Sequence, residues 1–550
     1  MAVRRLYFYP LLFLILAGVQ SAFYICSNSQ YITATTGNIY IPLFMQHFAE
    51  GVKAGQLYPR WSEHLFAGTG APLFVFYPPL AYMFSNLFRF APSATCQAGL
   101  LMGAALFLRA LFYYLWLRRH TSAAIAATIC ALLLLAPYNF TQINIQVAPA
   151  QLWATVWFPL AFYYLERWRE NNDLRFLMNF ALVAALIMLT HVPSTLLFLP
   201  ALWIYGCFYQ RPTLQIVYAL SAAIILAAGL ASIYWLPAAL NHYAVQAQSF
   251  YSHFLDRNTA IFFPTASYFT ALPVLAFALW SLWLTRTVSA NDTLRSVIWA
   301  GTILVAVSCL LLLPITERLW HQVNIMHLLQ MPFRFLSLLE VLIPLFLLFV
   351  SRYIRPRIWV SIIILLALPD VMSTYYTYQD FRRYSEPQTR QNMVQEQLKL
   401  KNAPREYLPV WATEKVSLDY LINNYVPLPQ VQVTSGEGNV TVTNWQNEHI
   451  LLHAHMKKEG SIAIKQHFFP GWLAQSGNQV LPLHPSDLGL IVIDASQGEY
   501  DIVLQFILPG GDAGVWLTVL SAGLWILLYL IGMKTGRPLG KTAQKESRTR

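Results

Sequence analysis

The stretch at 36–79, TGNIYIPLFMQHFAEGVKAGQLYPRWSEHLFAGTGAPLFVFYPP, decides how this chain is read. It follows the first long apolar run and holds only two carboxylates, Glu50 and Glu63. Three aromatic-Pro or Pro-Pro steps and a Gly-Thr-Gly turn break it. It is too polar to span a bilayer and too apolar to be a free linker. It reads as a loop folded back onto the outer membrane face, roofing a cavity. Within it, 41–53 has the pattern of a helix lying on that surface, ended by Gly55 and Pro59. The apolar segment 72–90, split at Pro78 and Pro79, reads as a second interfacial helix.

Outward from this loop the chain is mostly apolar. Of 550 residues, 57% are hydrophobic and only 11% charged, against about 25% charged in soluble domains. Runs of roughly 20 apolar residues are long enough to cross the hydrocarbon core as helices. Twelve crossings are expected, at 6–26, 97–117, 121–138, 149–165, 176–191, 194–209, 213–236, 265–285, 296–314, 335–353, 357–374 and 514–533. The net charge of +11 implies no nucleic acid, because its location explains it. Arg118, Arg119, Arg167, Arg169, Arg175, Arg211, Arg286, Arg295, Arg352, Arg355, Arg357, both chain ends and the basic tail 534–550 fall on one side. Positive residues stay cytoplasmic, so both termini are expected there, in a multi-pass membrane protein. The first span lacks a small-x-small cleavage site and reads as a retained anchor. The break at His191 and Pro193 makes spans five and six either a kinked pair or a re-entrant hairpin.

Beyond 375 the composition changes. Alternating segments at 440–443, 450–454, 462–464, 490–493 and 502–506 predict a small antiparallel β domain, a sandwich over 375–512, held outside between the last two spans. The chain divides into a helical bundle over 1–374 including the outer loop 27–96, the β domain, a last helix at 513–533 and a basic tail. Five cysteines show neither zinc spacing nor a disulfide framework; Cys26 and Cys96 both fall near the outer face, as a pair or as two inert thiols. No Walker loop, Rossmann fingerprint, GxSxG or HExxH is present.

Ionisable groups within apolar spans are costly, so each is a candidate. Arg109, Glu340 and Asp370 either pair inside the bundle or line an outward-facing polar cavity. His191, in LTHVPST, is a structural helix-end residue or a site residue. Arg334, in LLQMPFRF at the outer entrance to span ten, is an interfacial anchor or a bidentate phosphate grip. Glu50 and Glu63 are the loop's only acids and candidates for a general base. His47 and Glu50, three residues apart, could share a divalent metal, although two ligands alone are a weak signal. His453 and His455 share a strand face, with His467 nearby, and read as solvated surface lacking acid companions.

Several segments resemble the bacterial family of 6-pyruvoyl-tetrahydropterin-synthase-related membrane proteins: AEGVKAGQLYPRW, GTGAPLFVFYPPL (which contains Tyr77), LTHVPSTLLFLP, IYWLPAAL, LLQMPFRFL, EYLPVW and FFPGW at 468–472. The family name implies no pterin chemistry. The resemblance implies the bacterial inner membrane and a fold like the GT-C superfamily, polytopic glycosyltransferases that take sugars from polyprenyl-phosphate donors at the outer membrane face. Partners would be membrane lipid, the lipid-linked sugar, and a glycan or lipid acceptor. In that fold the first outer loop usually carries a catalytic Asp. This chain departs there, with Asn38 after Gly37 and no Asp anywhere in 27–96. An Arg-x-x-x-x-Glu position appears as Gln146 and Gln151. Either Glu50, Glu63, Glu340 or Asp370 replaces the base, or the chain is a non-catalytic lipid or glycan binder, or a flippase-like transporter, on the same scaffold. Asn38, Tyr77, Gln151, His191 and Arg334 are the expected substrate contacts.

Overall fold

The structure is a computed structural model that describes residues 2–26, 36–210, 212–247, 266–287, 292–353, 405–412 and 417–535. It is mostly helical, with a β-sheet domain near the C-terminus. The principal helices are α1 (Ala2–Cys26), α2 (Thr36–Lys53), α3 (Ala94–Leu117), α4 (Ala123–Leu134), α5 (Pro149–Asn171), α6 (Leu174–Thr190) and α7 (Val192–Phe208). They continue as α8 (Leu214–Leu230), α9 (Ser232–Asn241), α10 (Ala266–Thr287), α11 (Asp292–Leu311), α12 (Phe335–Val350) and α13 (Gly511–Thr535).

Local chemistry sets their ends. Ser93, Ser122 and Thr213 cap α3, α4 and α8 by accepting from backbone amides one turn in. His191 ends α6 and starts α7, so the expected break there is two helices meeting at one residue. α5 is buried on nearly every side and packs against α3 and α6, as an apolar helix at the centre of a bundle must be. α13 returns to the bundle against α9, where Gly514 lies so close to the Ser232 carbonyl that a Cβ would approach it to 2.8 Å. Ser232 Oγ donates to the Gly514 carbonyl at 3.0 Å and Trp525 Nε1 to the Met178 carbonyl at 2.8 Å.

Twelve crossings are more than the described residues support. Three helices are long and apolar enough to cross a membrane: Ala94–Leu117, Pro332–Val350 and Gly511–Lys534. The number is five if two pairs, bent by 76° and 80°, each count as one. Four further apolar helices, at Phe8–Ala22, Ala123–Leu134, Leu174–Thr190 and Val192–Phe208, are shorter. Breaks at His191 and at prolines shorten the runs, and Gln151, Thr155 and Glu166 dilute α5. The expected span at 357–374 lies outside the described residues.

The nine strands are β1 (Val431–Ser435), β2 (Gly438–Gln446), β3 (His449–Met456), β4 (Gly460–His467), β5 (Trp472–Ser476), β6 (Gln479–Leu481), β7 (Leu483–Pro485), β8 (Leu490–Ala495) and β9 (Gly498–Phe506). They form two antiparallel sheets, ordered β1-β4-β8-β7 and β2-β3-β9-β5-β6. The strand segments read from alternation all lie inside these strands. Ile450, Leu452, Ile462, Ile464, Ile491, Ile493, Ile502 and Leu504 fill one core between the sheets, the packing of a sandwich.

The loop at 36–79 is not laid on a surface. α2 begins earlier than expected and buries Ile41, Leu43, Phe44, Met45 and Phe48. The expected second interfacial helix is instead two short helices, Leu73–Phe76 and Leu80–Ser85, and a 3-10 turn, Asn86–Phe88, because Pro78 and Pro79 break it. Trp61 and Val75 belong to the core of the β sandwich. The roof is therefore built into the β domain. Cys96 is a free, buried thiol.

Candidate functional site

The dispersed segments that carry the family resemblance converge in space. Trp61, from the PRW segment, packs edge-on against Trp472 with ring centroids 5.3 Å apart, and lies 6.2 Å from Phe469, both from FFPGW. Trp61 Nε1 donates to Gln466 Oε1 at 2.6 Å. Gln466 Nε2 in turn donates to the Gly68 carbonyl at 2.9 Å. Gly70, from the Gly-Thr-Gly turn, has φ +74°, and a Cβ there would collide with Gln466 Oε1 and Trp61 Nε1. Tyr407, from EYLPVW, meets Phe44 and Tyr77, each at 6.1 Å between rings. Tyr234, from IYWLPAAL, donates its hydroxyl to the Phe76 carbonyl at 2.8 Å.

Two polar clusters lie along this convergence. In the first, Arg334 sits on the 3-10 turn Pro332–Arg334 that leads into α12. Its Nη1 donates to His191 Nε2 at 2.7 Å and its Nη2 to Gln330 Oε1. A guanidinium has no lone pair to offer, so His191 Nε2 accepts from Arg334, while His191 Nδ1 lies 2.8 Å from Ser194 Oγ and 3.3 Å from the Ser194 backbone amide it caps. Arg334 Nε is buried and has no hydrogen-bond partner among the described residues. Tyr77 is within electrostatic reach of Arg334 and Glu406, and burial pushes its phenol up. Gln151 Nε2 donates to the Tyr138 hydroxyl at 2.8 Å, with both side chains buried.

Arg109 and Glu340 lie deeper and face each other at 3.0 Å, their side chains 0% and 1% exposed. Arg109 Nη2 also donates to Asn139 Oδ1 at 2.7 Å. Of the two readings of this pair, internal pairing is the one observed. Its geometry leaves Glu340 compensated by Arg109 rather than open to a reacting group.

The second cluster lies at the seam between the roof and the β domain. His47 and Glu50 come from α2, Glu63 and His64 from the following loop, and Trp445, Gln446 and Asn447 from β2 and its turn. A cavity of about 260 Å³ opens there. His47 Nδ1 is 3.4 Å from Glu50 Oε2, and His64 Nε2 is 3.3 Å from Glu63 Oε1. Gln46 Nε2 donates to Glu50 Oε1 at 2.8 Å and Trp445 Nε1 to Glu63 Oε2 at 3.0 Å. Among the described residues, no three His, Cys, Asp or Glu side chains are gathered as a metal ion would need. α2 links the clusters: Tyr40 and Phe44 lie toward Tyr77 and Tyr407, and Glu50 is ten residues from Tyr40, about 15 Å along a helix.

The expected site residues are thus divided. His191 and Arg334 are in direct contact, with Tyr77 close by. Gln151 pairs with Tyr138, and Glu50 and Glu63 line the seam. Asn38 is on α2, and Asp370 lies outside the described residues.

Two histidine expectations are corrected. His453 and His455 are exposed but do have acid companions, Asp501 at 2.8 Å and Glu499 at 3.3 Å on the paired strand β9. His467 is not solvated surface; it is 0% exposed. A register slip in β4 between Ile464 and His467 turns this segment toward the roof. His467 donates from Nδ1 to the Gly70 carbonyl at 2.7 Å, and its Nε2 lies 3.3 Å from the Tyr425 hydroxyl. Burial pushes its pKa down to about 4.

Glu448 was not foreseen. It lies in the β2–β3 turn, and its Oε1 accepts from the backbone amides of Arg60 at 2.6 Å and Trp61 at 2.8 Å. Its Oε2 accepts from Gln56 at 2.9 Å. An acid in a polar turn looks like any solvated hairpin residue, so the sequence held no signal for this latch.

No protein-family model matches the chain, and no curated protein matches it. Among solved structures the chain is similar to the Archaeoglobus fulgidus oligosaccharyltransferase in its apo form, at 12% identity and a TM-score of 0.41, covering 74% of this chain and 62% of that one. The complex of the same enzyme with zinc and sulfate gives 12% identity and 0.36, covering 71% and 57%. The chain thus spans less than two thirds of the length of that oligosaccharyltransferase. A TM-score below 0.5 does not establish a common fold.

Proposed function

We propose that this chain is a GT-C-like membrane glycosyltransferase that uses a polyprenyl-phosphate-linked sugar at the outer face of the bacterial inner membrane. The observation that carries the reading is Arg334: a half-buried guanidinium oriented by His191 and Gln330, with a buried Nε unpartnered among the described residues, under a roof made of the segments that resemble this family. Such a group suits a phosphate whose charge grows as the sugar leaves. In the reaction the bond from the sugar C1 to the phosphate oxygen breaks and a bond from C1 to an acceptor hydroxyl forms. Polyprenyl phosphate leaves against Arg334. The hydroxyl proton must go to a base beside the donor; Glu50 and Glu63 line the other cluster, about 15 Å along α2, so either takes that role only if the two clusters close on one substrate, while Glu340 orients Arg109 instead. Tyr77 and Gln151 line the donor side, with Asn38 on the same helix as Glu50, and the β domain holds the acceptor, a glycan or lipid.

The pairing of Glu340 with Arg109 and the absence of Asp from 27–96 favour a second reading, a lipid or glycan binder or flippase-like protein on this scaffold. The purified chain is assayed with a panel of radiolabelled polyprenyl-phosphate sugars. Transfer or release is expected, with Arg334→Lys, which keeps the charge but loses the planar fork, lowering kcat/KM by about 100-fold. Retained lipid binding with no turnover on any donor would leave the binder.

A further inference from the structure

Two polar atoms at the seam between roof and β domain are left unanswered by the fold. Backbone hydrogen bonds between Ser62 and Ala71, at 2.8 and 3.2 Å, pin Ser62 in the cavity wall. Ser62 is 3% exposed, and its Oγ has no partner among the described residues. Gln56 Nε2 donates to Glu448 Oε2 at 2.9 Å and to the Asn447 carbonyl at 3.2 Å. Gln56 Oε1 therefore takes Asn447 Nδ2, at 2.9 Å. Asn447 Oδ1 is left over, buried and without a partner among the described residues. A buried polar atom with no partner is costly, and both of these residues line the same cavity of about 260 Å³.

What fills this cavity must be compact and able to hydrogen-bond in both senses. Among the described residues no Lys or Arg lines it, which turns it away from phosphates, and no three metal ligands gather. Two indoles, Trp61 and Trp445, are in the lining, the second held to Glu63 through Nε1 at 3.0 Å. The negative face of an aromatic ring attracts weakly positive C–H edges, which a pyranose presents. Apolar walls with a few placed polar groups are what orient a small ligand. A sugar hydroxyl donates as well as accepts, so the fit is the same whatever charge His47, Glu50, Glu63 and His64 carry.

We infer that the seam cavity binds one uncharged sugar ring, with its hydroxyls on Ser62 Oγ and Asn447 Oδ1 and its carbon face on Trp445. The cavity lies about 15 Å along α2 from Tyr40, whose neighbour Phe44 packs on Tyr77 beside Arg334. Resting on the transferase reading, this ring is therefore a distal unit of a longer acceptor glycan, and its binding positions the reacting end.

Methyl glycosides of glucose, galactose, mannose and N-acetylglucosamine are titrated by saturation-transfer NMR into the full chain, held in a detergent without a sugar headgroup. At least one is expected to bind. Ser62→Ala should weaken it about fivefold, the loss of one neutral hydrogen bond, and leave the melting temperature unchanged. Ala54→Trp, at the exposed rim of the cavity, should abolish binding with the fold intact. Binding by none of the four, or binding that both variants leave unchanged, overturns the inference. In the transfer assay Ala54→Trp should raise KM severalfold for oligosaccharide acceptors and leave single-sugar acceptors unchanged; an equal effect on both overturns the distal placement. The titration contains no donor, so its failure leaves transfer itself standing. Conversely, a chain that binds the sugar but transfers nothing keeps the cavity assignment and loses the enzyme.

Discussion

Acidification from pH 7 to pH 5 is expected to loosen the roof from the β domain through one side chain, His467. In the folded chain its ring is buried and donates to the Gly70 carbonyl, and burial holds its pKa at about 4. An unfolded histidine titrates near 6.5. Below that value the open state takes up a proton that the docked state refuses. The stabilisation is therefore complete above about pH 6.5 and is lost as pH falls toward 4. Integrated over the whole window the loss is about 3 kcal/mol, and between pH 7 and pH 5 about 2 kcal/mol. That is a roughly 30-fold rise in the open population. Glu448, in the same interface, runs the other way: burial raises its pKa, so its protonation favours docking as pH falls and partly offsets the effect at the acid end. The assay is hydrogen exchange of the full chain, followed at 68–71 and 465–468 and corrected for intrinsic rates. Wild type should lose protection on acidification, and His467→Gln, weaker throughout, should be nearly flat. Unchanged protection in wild type, or an equal slope in His467→Gln, would refute the reasoning.

Three further outcomes follow from the same contacts. Gly70→Ala places a Cβ against Gln466 Oε1 and Trp61 Nε1 at a left-handed φ; it should cost about 2 kcal/mol or more and appear as faster proteolysis within 60–72. Glu448→Ala strands the Arg60 and Trp61 amides and the Gln56 amide; a loss of about 3 kcal/mol should show as the same proteolytic opening at neutral pH. Arg109→Leu leaves Glu340 buried without its counter-ion, a change worth about 3–5 kcal/mol. It should lower the yield of monodisperse protein, and Arg109→Leu combined with Glu340→Leu should recover part of it.

Much of the fold was legible in the sequence because its causes are local. Period-two alternation placed β3, β4, β8 and β9, and the break at His191 was visible in the helix-stop pattern itself. Helix count was less legible, because hydropathy over a window does not register that α5 carries Gln151 and Thr155 inward or that a proline divides a run. The site was legible in its types and not in its pairings. Arg334 and His191 were both singled out, yet 143 residues separate them and nothing in either neighbourhood says that they touch. His467 and Glu448 were misread or missed for one physical reason. Each is polar on a strand or turn that would face water if the domain stood alone, and only the roof, supplied from far upstream, buries it.

The seating of Trp61 within the sandwich also has a consequence for biosynthesis. Its partner Gln466 is 405 residues downstream, so at ordinary elongation rates of about 5–20 residues per second the indole waits roughly 20–80 seconds for the strands that will enclose it. Until then the segment around Trp61 exposes apolar surface with no lasting partner, a natural target for a holding chaperone or for the membrane itself. Ribosome-bound chains halted before residue 466 should be caught in that state, and chains halted well past it should not.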